Sequence, residues 1–332
     1  MSGDSQTRYR DALLDWLACA VGGLAEPAAR AAREAGDGLL DRVAAAGTAG
    51  HVLDFDDTYL PGIAHLSAPT APAALVLGAE RGASSGEALE AYAAGFEAAG
   101  ALARAGHPAL YDGGWHPTAV CGALGAAVTA SRLLELSAEA ERSAAAMALL
   151  RAAGLRSAFG SAGKSLQVGM AAATGAAAAR LAAAGADLDL DQIARGPGGF
   201  EQAFGVGFEQ SDDRSAIEEN WIKAYPCCLQ THSAIEAALT ARDEVEGEVA
   251  GKGSIEVTVH PVSLQAAPIA EPTNGLEAKF SIPYLTAFAL LHGAPDPTSF
   301  SGVDEAARTL AGRITVTSDP EIAESEEVTP AP

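Results

Sequence analysis

Residues 168–185 read VGMAAATGAAAARLAAAG. Alanine is the strongest helix former and its single methyl lets neighbouring backbones approach closely. The stretch therefore predicts a helix in close contact with others. The same bias runs outward: close to a quarter of the 332 residues are alanine and only 5% are aromatic. Upstream, Leu13, Leu14, Leu17 and Val21 fall on one face of a helix over 8–24. Pro27 starts a second helix, running to about Ala46, before Gly47 and Gly50 interrupt the pattern. Further helices are predicted over 72–81, 86–105, 117–134 and 137–153, with Ser85 and Ser137 as N-caps. The segment His51 to Pro72 is rich in Asp, His, Pro and Ser and reads as an ordered loop.

Beyond residue 200 the periodicity changes. A Gly/Phe-rich stretch (Gly198–Gly207) leads into an acidic one (Glu209–Glu219), and a new unit begins near Trp221. It holds a helix over 231–244, the alternating strand Ser254–His260, a helix over 280–292, a short helix over 302–311 and the strand Arg313–Thr317. The expected fold is mainly α: a large all-helical domain over 1–220, a smaller α+β domain over 221–320, and a frayed acidic tail over 321–332.

Composition restricts the partners. With 21 Lys+Arg against 43 Asp+Glu the net charge is −22, so the chain lacks the cations that nucleic acid or an anionic membrane surface requires. No apolar run reaches the length of a membrane span, and Met1–Arg10 lacks the apolar core of a secretory signal. Cys19, Cys121, Cys227 and Cys228 form no CxxC or His-spaced cluster, which argues against a disulfide framework or structural zinc and favours the cytoplasm.

Four stretches could carry chemistry. In His51-Val-Leu-Asp54-Phe-Asp56-Asp57-Thr58, followed by His65-Leu-Ser67, three carboxylates crowd together between two histidines. Buried, such a group raises its own pKa values and needs partners; the same residues suit a solvated acidic loop, and the spacing matches no known metal motif. Gly113-Gly-Trp-His116-Pro117-Thr118 sets a histidine at a helix start, either as a cap or facing a ligand. Ala162-Gly-Lys164-Ser-Leu-Gln167 invites a P-loop reading, but position 158 is Ala where that motif requires Gly. Lys164 is one of only four lysines, and its Gly-rich surroundings suggest an interior loop with a specific need for it. Ile222-Lys223-Ala-Tyr225-Pro226-Cys227-Cys228 places a second lysine at the domain junction, where ligand clefts tend to form; the adjacent cysteines read as small apolar packing residues.

Taken in order, HVLDFDDT, AHLS, YDGGWHPT, GKSLQVGMAAATG, GPGGFEQAFG, WIKAYPCCLQTH and EAKFSIPYLTAFALLHG resemble the 2-methylcitrate dehydratase superfamily, also called the MmgE/PrpD family. That family includes 2-methylcitrate dehydratases, cis-aconitate decarboxylases and iminodisuccinate epimerases. The resemblance implies a helical domain with an α+β lid, a site between them, no metal or organic cofactor, and a homodimer. It assigns Asp54, Thr58, His65, His116, Lys164, Lys223 and Tyr284 to the site. Two departures stand out: His65-Leu66-Ser67 replaces a common His-Pro-Ser, and family members are typically longer, between the second helix and His51 and at the C-terminal end. The shorter lid suggests an open cleft and a bulkier substrate, such as a carboxylated natural-product intermediate of secondary metabolism.

The residue types suit the implied chemistry. Lys164 and Lys223 supply cations for substrate carboxylates and developing charge. His65 or His116 can move a proton near neutral pH, and the sequence leaves open which is base and which acid. Asp54 can orient an imidazole or hold a lysine, while Thr58 and Tyr284 can donate hydrogen bonds. The expected function is a cofactor-independent lyase, a dehydratase acting on a small di- or tricarboxylate. The alternatives are a dicarboxylate epimerase, a decarboxylase, or a paralogue that binds without turnover.

Overall fold

A computed structural model of the chain describes residues 3–207, 214–249 and 253–322. Residues 208–213, which include the start of the acidic stretch, and the tail from Ala323 lie outside them. The described residues are mainly helical, and the chain divides into two compact units. One comprises Met1–Ala158 and Ala162–Ile222; the other comprises Phe159–Ser161 and Lys223–Pro332.

In the first unit the helix expected over 27–46 is two, Pro27–Glu34 and Leu39–His51. Gly36-Asp37-Gly38 breaks the run, and Asp41 restarts it by accepting the Gly38 amide at 3.1 Å. Helix Ser85–Gly106 is capped by Ser84, one residue before the expected cap, in a reciprocal pair with Glu87; Ser137 caps Ala138–Leu150 as expected. The segment expected as a loop to Pro72 becomes helical at Ser67 and widens into a π turn (Ala73–Leu77) after Pro72, whose ring nitrogen cannot continue the ladder. The unit also holds a two-residue antiparallel ladder, β1 (Thr58–Tyr59) against β2 (Asn220–Trp221), which keeps Trp221 with the helical unit.

The alanine-rich helix starts at Ala162, six residues earlier than expected, and ends at Ala183. Close backbone contact dictates its composition. A Cβ at Gly169 would run into the Ala44 carbonyl and the Thr48 hydroxyl of helix Leu39–His51, and one at Gly175 would strike helix Pro117–Leu133. These contacts bring the first turns of the alanine helix against the two elements that carry His51 and His116. Gly169→Ala should therefore destabilise the chain by about 1–3 kcal/mol through overpacking. A urea melt would show it; an unchanged midpoint would mean the helices can separate freely.

The second unit pairs β3 (Ile255–Val259) with β4 (Ile314–Ser318) in parallel, Ile255 opposite Ile314. Ile235, Tyr284, Leu285 and Ile314 fill its core, from helices His232–Val249 and Ile282–His292 and from β4. Phe159 belongs here because its ring lies 5.6 Å from that of Phe280. Among the described residues no single helix is long and apolar enough to cross a membrane.

Candidate active site

The site is built where helix Leu39–His51 ends. His51 forms its last turn and is fully buried. The chain then reverses through Asp54, which adopts a left-handed conformation (φ 52°) that aspartate tolerates better than most residues. That reversal turns the Asp54 carboxylate to Lys164, whose Nζ donates to Oδ1 at 2.8 Å. Both side chains are buried, so each neutralises a charge that would be expensive alone.

Two residues on, Asp56 lies between two imidazoles. His51 Nδ1 is 2.8 Å and His65 Nδ1 3.3 Å from its Oδ2. Burial alone would raise this carboxyl, but the two histidines more than offset it and hold it well below its usual range. His65 Nε2 lies 3.7 Å from Asp54 Oδ1, and the Thr118 hydroxyl fixes the His65 backbone by accepting its amide at 3.0 Å. His116 caps helix Pro117–Leu133, after Gly114 in a left-handed turn, and donates its backbone N–H to the Gly154 carbonyl. The His51 ring sits 4.6 Å from that of His65 and 6.0 Å from that of His116. Burial, then the Lys164 charge, pushes His116 well below the usual imidazole range, and burial lowers His51. In both, burial favours the neutral ring.

Of the expected site residues, Asp54, His65, His116 and Lys164 come together within the first unit. Thr58 lies on β1, its hydroxyl oxygen buried and without a hydrogen-bond partner. Lys223 is buried in the second unit and donates to the Cys227 carbonyl at 2.9 Å. Tyr284, expected as a substrate contact, is packed in that unit's core, where its hydroxyl accepts the Asp304 amide at 2.9 Å. Its hydrogen bond serves the fold of the second unit.

Three residues left out of the expected set touch it directly: His51, Asp56 and Gln167. Gln167 Nε2 lies 2.7 Å from His116 Nδ1. Lys164 and Gln167 are three residues apart, one turn of the same helix, a relation hidden when this stretch is read as a loop. His51, Asp56 and His65 also bring one donor atom each within 4.8 Å of one another. Both histidines point Nδ1 at the carboxylate at hydrogen-bonding distance, and the Lys164 ammonium stands on the neighbouring Asp54. The donor set therefore fits a hydrogen-bonded chain better than a cation site.

Asp57 belongs to a different network. It accepts Ser67 Oγ at 2.8 Å and Asn220 Nδ2 at 2.7 Å, and its other oxygen is buried without a partner. Burial, then the Asp56 charge, pushes its carboxyl up to about 8. The folded chain thus holds a proton that the unfolded chain releases above the ordinary aspartate value of 3.8. Stability from this group falls as pH rises from about 4 to about 8, by at most about 1.4 kcal/mol per pH unit. His51 and His116 act in the opposite sense, losing stability as pH falls through the imidazole range. Urea melts of wild type against Asp57→Asn isolate the first term: the difference should slope across that window, and a flat difference would contradict a protonated Asp57.

Residues 1–212 match the MmgE/PrpD N-terminal domain and residues 225–331 the MmgE/PrpD C-terminal domain. A cis-aconitate decarboxylase of Aspergillus terreus is 27% identical over 218 residues, covering 59% of this chain and 44% of the relative. A cis-aconitate decarboxylase of Aspergillus terreus strain NIH 2624 is 31% identical over 141 residues, 39% of this chain and 29% of the relative. The chain spans less than half the length of these curated relatives. Two consecutive domain matches cover nearly all of its length, and the chain belongs to the MmgE/PrpD family.

Proposed function

We propose that the chain is a cofactor-independent lyase that removes a proton beside a carboxylate of a small di- or tricarboxylate. The observation that carries this reading is the buried Lys164–Asp54 pair set beside His65 and His116. Taking a proton from carbon next to a carboxylate leaves negative charge on the carboxylate oxygens. A lysine held in a low-dielectric site stabilises that charge far more than it would in water. A neighbouring imidazole is the natural proton acceptor near neutral pH. Lys223 and Thr58 are assigned substrate binding on the strength of the family resemblance, as a carboxylate-binding cation and a hydrogen-bond donor.

Dehydration is the first reading. Decarboxylation is the second, favoured by the activity for which both curated relatives are named. Proton NMR of the full chain with citrate, 2-methylcitrate and cis-aconitate in D2O separates them. A new alkene from a hydroxy acid means dehydration, and loss of one carboxylate means decarboxylation. Deuterium beside the carboxylate with no new product means epimerisation or bare exchange. No change in any of them would overturn the lyase reading. Turnover should also survive EDTA, because the lysine supplies the positive charge; loss restored by a divalent ion would contradict that.

A further inference from the structure

We propose that Gln167 and Asp56 are positioning residues that lock His116 and His65 in opposite tautomers, making His65 the proton acceptor and His116 a neutral N–H donor. The inference rests on the lyase reading for its chemistry and on hydrogen-bond geometry, with Asp56 ionised, for its tautomers.

The Gln167 amide has a fixed orientation. Its Oε1 accepts the Leu155 amide at 2.9 Å, and its Nε2 donates to the Leu155 carbonyl at 3.2 Å. A backbone N–H can meet only an acceptor and a carbonyl only a donor, so the amide cannot be flipped. The group that faces His116 Nδ1 at 2.7 Å is therefore an NH2. It has hydrogens to give and no lone pair to offer, so Nδ1 must be the acceptor. The ring hydrogen of neutral His116 then lies on Nε2. Protonating Nδ1 would oppose two N–H groups at that short distance, which adds to burial and to Lys164 in keeping the ring neutral.

His65 is held the other way round. Its Nδ1 meets two acceptors, the Asp56 carboxylate and the Asp56 backbone carbonyl, each at 3.3 Å. With Asp56 ionised, neither can donate. The hydrogen is on Nδ1, and the lone pair of neutral His65 is on Nε2, whose distance to Asp54 Oδ1, 3.7 Å, is too long for a hydrogen bond. His51 directs its own Nδ1 to the same carboxylate and carries a buried, unpartnered Nε2. It completes the chain that keeps Asp56 in place.

Opposite tautomers assign the roles that the residue types alone leave open. His65 Nε2 takes the proton, so the substrate C–H bond breaks and an N–H bond forms. The electron pair passes into the carboxylate as an enolate, and the new imidazolium faces Asp56. The enolate is balanced by the Lys164 ammonium, and His116 Nε2–H can hold a negative oxygen without changing its own charge. A neutral imidazole acting as an electrophile is an established catalytic device.

The test is long-range proton–nitrogen NMR on the full chain labelled with 15N-histidine, which reports the protonated nitrogen of each ring. His65→Gln and His116→Gln supply the assignments. Near pH 7.5 the expected result is a proton on Nε2 of His116 and on Nδ1 of His65. Gln167→Glu replaces the donor by a carboxylate and should place a proton on His116 Nδ1. It should also lower kcat about a hundredfold with KM little changed, and the thermal midpoint should fall by a few degrees as the Leu155 carbonyl loses its donor. Finding the His116 proton on Nδ1 in wild type, or both rings in the same tautomer, would overturn the proposal, as would wild-type kcat in a Gln167→Glu chain whose tautomer has changed. The NMR readout needs no turnover. Opposite tautomers in a chain inert to every polycarboxylate would sink the lyase reading and leave the tautomer assignment standing.

Discussion

Lys164→Met is expected to abolish measurable turnover and to lower stability by about 3–5 kcal/mol. The substitution keeps most of the side-chain volume, so the loss comes from charge. Asp54 is buried and sits in the same loop as the ionised Asp56; without the ammonium its carboxylate must stay charged in a dry site or take up a proton. Adding Asp54→Asn removes the stranded charge, so the double variant should recover most of the stability and none of the activity. Denaturant melts of the two single variants and the double one give the coupling directly. Additive losses would mean that the pair is not a unit, and wild-type turnover in Lys164→Met would remove the lysine from the chemistry.

His65→Gln and His116→Gln should each lower kcat/KM by at least about a hundredfold, the usual scale for a group that moves or donates a proton in the reaction. Glutamine approximates the imidazole in size, so thermal midpoints should move by only a few degrees. His116→Gln should leave the shape of the pH profile near that of wild type, because burial and the Lys164 charge already keep that ring neutral. Lys223→Ala tests the family-based role of the second lysine and should fall in the same hundredfold range. Near-wild-type values for all three variants would remove the site assignment.

What could be read in the sequence follows from which forces act locally. Alanine content and helical spacing report backbone preference, so the helical class and the long helices were legible. Their ends depend on tertiary contact and were less so. Gly163 reads as part of a loop, yet helix Ala162–Ala183 runs through it, and Gly169 is where the Leu39–His51 backbone presses close. That misreading hid the one-turn relation of Lys164 to Gln167. The acidic run Asp54–Asp57 was visible as an unusual cluster, but the division of labour within it was not. The left-handed turn at Asp54 sends neighbouring carboxylates to different partners, Asp54 to Lys164, Asp56 to His51 and His65, Asp57 to Ser67 and Asn220. No spacing rule encodes that. The Tyr284 hydroxyl also accepts a backbone amide of its own unit, a contact that no spacing in the sequence reports.

The most direct test of the account is solvent exchange at the carbon beside the substrate carboxylate. Exchange needs the base and the charge that stabilises the enolate, and nothing later in the reaction. In D2O with a substrate or a close analogue, wild type should introduce deuterium at that carbon. Lys164→Met and His65→Gln should not, and His116→Gln should retain measurable exchange while forming little product. Absence of exchange in wild type alongside product formation, or wild-type exchange in His65→Gln, would contradict proton abstraction by His65 at this site.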